Sequence, residues 1–65
     1  MNQWIQTGPW KMEDGKRAYQ LKRKPAINEL RKAKTRFKGE DNVKVQLERN
    51  NVKGYNVMIY QRMDG

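Results

Sequence analysis

The chain contains no cysteine, no histidine and no serine. Without cysteine there is no disulfide framework, and without cysteine or histidine no ordinary zinc site can be assembled. The nucleophile and base pairs of most hydrolases draw on serine, cysteine and histidine, so they are excluded too. Acidic residues are scarce, seven in 65, and four of them form two adjacent couples, Glu13–Asp14 and Glu40–Asp41. Each couple lies beside a glycine, Gly15 or Gly39, in what reads as a turn. Neighbours on a turn point apart, whereas a two-metal nuclease centre needs carboxylates held rigidly together. Solvated turn residues are the better reading. The chain therefore reads as non-enzymatic, with no cofactor and no metal. No apolar run approaches the roughly 18 residues of a membrane span, and no hydrophobic stretch follows Met1 as in a signal peptide. The expectation is an intracellular, cytoplasmic protein with no membrane partner.

Sixty-five residues make one domain, and a chain of this size buries only about 60% of its unfolded surface. Hydrophobic residues make up 35% and charged residues 34%, which weighs toward marginal stability. The mean hydropathy of −1.23 weighs the same way. Against disorder stand two tryptophans, three tyrosines, one phenylalanine and a clean alternation near the C-terminus. A single folded domain over 1–65 is expected, with residues 63–65 loose, residues 1–7 either a loose arm or a short edge strand at Trp4 and Ile5, and a second copy as a source of further stability.

Local signals predict α+β architecture. Asp14-Gly15 favours a two-residue type I′ hairpin turn, because both central positions need positive φ. In that register Trp10 opposes Tyr19, and Trp10, Met12, Tyr19 and Leu21 share an apolar face. Trp10 and Tyr19 then read as core rather than as a ligand cage. Pro25 suits the first turn of a helix and Gly39 the position just past its end. Between them Ile27, Leu30, Ala33 and Phe37 form one stripe at helical spacing, with Ala26 alongside. Val43, Val45 and Leu47 alternate with polar residues, as do Tyr55, Val57 and Ile59, giving two half-buried strands. Val52-Lys53-Gly54 fits their connection, with glycine in the left-handed position and Leu47 opposite Ile59. The predicted order is β-β-α-β-β, a small antiparallel sheet of two hairpins flanking one amphipathic helix. Its core is Trp10, Leu21, Ile27, Leu30, Phe37, Val45, Leu47, Val57 and Ile59.

Charge is the strongest functional signal. Residues 16–38 hold ten basic side chains against the single acid Glu29, a balance of +9. The rest of the chain holds five basic and six acidic groups, or −1, and together they give the formal +8. A segregated block of this kind makes a one-sided field that draws in polyanions. The outward helix face and its approach supply Lys22, Arg23, Lys24, Asn28, Arg31, Lys32, Thr35, Arg36 and Lys38. Lysine and arginine neutralise phosphates, and Asn, Thr and Arg also reach base edges. A solvated helix usually interleaves both signs for i,i+4 support, and this one does not.

A second surface, the sheet face away from the helix, gathers Lys11, Gln20, Lys22, Lys44, Gln46, Met58, Tyr60 and Arg62. There Met58 and Tyr60, with Trp4 from the N-terminus, are candidates for an interface with a second copy. Two function classes fit the chain. One is a small nucleic-acid-binding protein, DNA ahead of RNA, of a size common among phage and mobile-element accessory proteins. The other is an effector or inhibitor that docks its basic face on an acidic protein.

Overall fold

The computed structural model describes residues 2–50 and 54–64. The domain is α+β. Strand β1 (Asn2–Pro9) is followed by helix α1 (Arg23–Arg36), then β2 (Val43–Asn50) and β3 (Gly54–Asp64). The three strands form one antiparallel sheet in the order β1-β3-β2. The last strand, the longest at 11 residues, is central and pairs with β1 on one edge and β2 on the other.

The order is thus β-α-β-β, not β-β-α-β-β. Of the two readings of the N-terminus, a loose arm or a short edge strand at Trp4 and Ile5, the structure has the edge strand, and Asn2–Pro9 pairs with β3 from Asn2↔Asp64 to Pro9↔Met58. Met63 and Asp64 at the other end belong to β3 for the same reason. The backbone hydrogen bonds of a long partner strand override a weak local pattern. The first predicted hairpin contributes no sheet strand among the described residues. Its chain leaves the sheet at Trp10, whose N–H donates to the Val57 carbonyl at 2.8 Å. It folds back on itself and rejoins the same lane at Ala18, whose carbonyl accepts from Val57 N–H at 3.1 Å. The bridge Leu21↔Tyr55 then completes the lane.

The turn of this excursion has three residues rather than two. Gly15 N–H donates to Met12 O at 2.9 Å and Met12 N–H to Lys16 O at 2.8 Å, with Gly15 at φ 84°. Such a turn followed by a left-handed glycine is the next commonest hairpin connection. The register moves by one residue, so Lys11 pairs with Arg17. A one-residue slip exchanges the faces. Ala18 is therefore fully buried, whereas Tyr19, expected in the core, is 51% exposed.

The β2–β3 register also differs from expectation, with Leu47 opposite Val57 rather than Ile59. This slip is of two residues, and every side chain keeps its face. Val52 and Lys53 lie outside the described residues. Gly54 pairs with Asn50 and is not left-handed. Glycine is required there because a Cβ would come within 2.7 Å of the Gln20 Cα.

Helix α1 follows its signals. Pro25 lies in the first turn, Gly39 (φ 87°) lies beyond the end, and Lys38 falls just past the last turn, which holds Lys34 and Arg36. Ala18, Ala33 and Val57 are fully buried at the centre. Trp10, Met12, Leu21, Leu30, Val45 and Leu47 pack around them. Ala26 and Ala33, both fully buried, let the helix backbone approach the sheet closely. Of the other expected core residues, Ile27, Phe37 and Ile59 are half-buried.

Candidate nucleic-acid interface

All nine predicted contact residues are exposed: Lys22, Arg23, Lys24, Asn28, Arg31, Lys32, Thr35, Arg36 and Lys38. The burial of Ala26, Ala33 and Leu30 against the sheet turns Asn28, Lys32, Thr35 and Arg36 outward on a helix of 14 residues. Such a helix is about 21 Å long.

The helix start is electrostatically unusual. Lys22 is the N-cap, its side chain makes no capping hydrogen bond, and the first turn holds no acid. Lys22, Arg23 and Lys24 therefore stand at the positive end of the helix dipole, where each cation is unfavourable by a few tenths of a kcal/mol to about 1 kcal/mol. Such conflicts between local rule and structure concentrate at functional sites. An anion placed there would relieve this one.

The helix face does not stand alone. Arg31, Lys32, Thr35 and Arg36 line a groove of about 630 Å³ whose remaining lining includes Trp10, Lys11 and Glu13 of the excursion. The indole is fixed in place. Its Nε1–H donates to Glu29 Oε1 at 3.2 Å, and its ring meets Phe37 edge-on with centroids 5.9 Å apart. The second Glu29 oxygen lies 3.3 Å from Lys32 Nζ. The Arg36 guanidinium sits 5.9 Å from the Phe37 ring centroid. The one acid in the basic block thus holds both the indole and Lys32.

Trp10 was read as core and not as a site residue, and Lys11 was assigned to the sheet face instead of this groove. The available signal was the solitary Glu29, a carboxylate whose position in an otherwise cationic segment called for a partner.

The sheet face away from the helix gathers a different set. Tyr60 pairs with Lys44 and Gln6 across the strands, and Met58 with Gln46. Trp4 joins them, with Lys44 Nζ 5.3 Å from its ring centroid. Met58 is only 5% exposed within the single chain, whereas Trp4 is 40% exposed. The Tyr60 hydroxyl donates to Glu48 Oε2 and accepts from Gln6 Nε2. The Glu48 hydrogen bond, with partial burial and the carboxylate's charge, raises the Tyr60 pKa above its ordinary value. Lys11, Gln20 and Lys22 lie outside the three strands of this face.

Among the described residues no three acidic side chains come together as metal ligands would, and no helix is long and apolar enough to cross a membrane. No family model matches this chain, and no curated protein or solved structure matches it either.

Proposed function

We propose that the chain is a small nucleic-acid-binding protein, without catalytic activity, that engages phosphates through the exposed face of α1 and its approach. DNA is placed ahead of RNA because a helix of this length fits a major groove, whereas the RNA major groove is too narrow to read. The observation that carries the reading is the uncompensated positive charge at Lys22, Arg23 and Lys24, continuous with exposed Arg31, Lys32 and Arg36. A face kept only for solubility gains nothing from cations set against the helix dipole.

The test is direct. The purified protein should carry a high ratio of absorbance at the nucleic-acid maximum to that at the protein maximum until salt strips the polyanion. It should also bind labelled DNA at low salt. A protein that elutes clean and ignores both DNA and RNA would fit instead an effector docking on an acidic protein.

The proposal extends to self-association through the β1 edge. That strand is a sheet edge, its exposed side chains include Trp4 and Ile5, and residues 1–10 hold no charge in a chain of +8. A strand without charged side chains lacks the usual block to edge pairing, and such an edge is a template for another strand.

A further inference from the structure

The groove between α1 and the 10–18 excursion has a composition that a phosphate-binding face alone does not require. It combines an aromatic, Trp10, with the cations Lys11, Arg31, Lys32 and Arg36 along about 630 Å³. Phosphate contact needs only the cations. An indole held by Glu29 Oε1 at 3.2 Å and packed edge-on against Phe37 is a rigid surface rather than a mobile side chain. Trp10 is half-buried and lines this groove, whereas Phe37 does not.

We infer that this groove takes the unpaired base of a single-stranded segment, stacked against Trp10, with the flanking phosphates on Lys32, Arg36 and Lys11. The inference rests on the nucleic-acid reading above and adds to it: the α1 face meets phosphates in either form, and the groove at its edge takes an unpaired base where one is offered. In a duplex the bases are stacked on one another and closed to a side wall, whereas an unpaired strand offers its π-faces. A concave slot beside the helix also suits a thin, flexible strand better than the convex surface of a double helix. Stacking on an aromatic adds affinity with little dependence on sequence. Two carboxylates, Glu13 and Glu29, also line the slot against four cations, and Glu29 is already engaged by the indole N–H and by Lys32.

Trp4→Phe leaves Trp10 as the sole indole and makes its fluorescence a reporter of the groove. This variant should be titrated at one ionic strength with a single-stranded oligonucleotide and with the duplex of the same sequence. The expected result is quenching of Trp10 by the single strand and none by the duplex. Trp10→Phe, which keeps a smaller ring, should then weaken single-strand binding a few-fold while changing duplex binding little. Should Trp10→Phe fold poorly, the fluorescence titration of the Trp4→Phe protein decides alone. Binding of both forms without quenching overturns the inference and leaves the phosphate-binding reading in place. No binding of either form at low salt overturns both.

Discussion

The indole N–H of Trp10 donates to Oε1 of Glu29 at 3.2 Å, joining the excursion from the sheet to the outer edge of α1. Glu29 is the only acid among residues 16–38, so the relationship sets a stability role against an electrostatic one. Glu29→Ala leaves the indole without its charged acceptor and should lower stability by about 1–2 kcal/mol. Glu29→Gln keeps a carbonyl acceptor and should cost less than half as much, since the Lys32 pair is half-exposed and worth little. Both variants gain a net positive charge and should bind DNA more tightly at low salt. Urea denaturation midpoints and low-salt titrations check the two effects separately. Equal loss of stability in both variants would mean that the charge, not the hydrogen bond, is what matters.

The β1 edge carries the second prediction. Ile5 is 46% exposed on a strand with no charged side chain, so Ile5→Lys installs the device that natural edge strands use against pairing. Wild-type protein should sediment as a dimer at high concentration and the variant as a monomer with an unchanged circular dichroism spectrum. A monomer at all concentrations in both proteins would remove the proposed self-association.

How far the sequence discloses this fold depends on which signals are local. Pro25, Gly39 and the Leu30–Ala33–Phe37 stripe specify α1 within two turns, and the structure follows them. Val45, Leu47 and Val57 keep their faces even though the register moves by two residues. The first hairpin fails for a physical reason. Asp14-Gly15 supports either a two-residue turn or the last part of a three-residue one, and the two differ by one residue in register. That residue decides whether Ala18 or Tyr19 is buried. The packing of Ala18 against Ala33 and Val57 decides it, and that cluster joins residues far apart in sequence. The pairing of Asn2–Pro9 with the far C-terminus is likewise a long-range fact that no local pattern announces. The cationic residues were all legible because charge is read directly from composition. Trp10 as a lining residue was not, because its place follows from the register.

Tyr60 supplies a pH prediction. Its hydroxyl donates to Glu48, which raises its pKa, so the folded chain holds the phenolic proton more tightly than the unfolded chain does. The sign follows from linkage. The contribution to stability is fully present below the ordinary tyrosine pKa of about 10, and is lost as pH rises through the higher folded value. A phenolate absorbance titration of the folded protein should show one late-titrating tyrosine. Glu48→Gln should bring it back toward the ordinary range, and Tyr60→Phe should abolish it. A late tyrosine that survives Tyr60→Phe would assign the shift elsewhere.

Absence of turnover is the simplest prediction to break. Incubation of DNA or RNA with the protein and Mg²⁺ or Mn²⁺ should leave the nucleic acid intact. Cleavage that disappears in Glu40→Ala or Asp41→Ala would replace a binding protein with a metal-dependent nuclease.

The central claim is that the α1 face, and not net charge alone, makes the phosphate contacts. A surface of this size engages about four to six phosphates, so log affinity for duplex DNA should fall with log salt at a slope of roughly −4 to −5. The decisive measurement compares that slope in two variants that each lose three charges. One replaces Arg31, Lys32 and Arg36 by Gln, and the other replaces Lys44, Arg49 and Lys53 by Gln. The account predicts that the first slope shallows to roughly −2, at about 0.9 per lost contact, while the second stays close to wild type. Equal slopes in the two variants would contradict it, for the protein would then respond to its total charge and the helix face would have no special part.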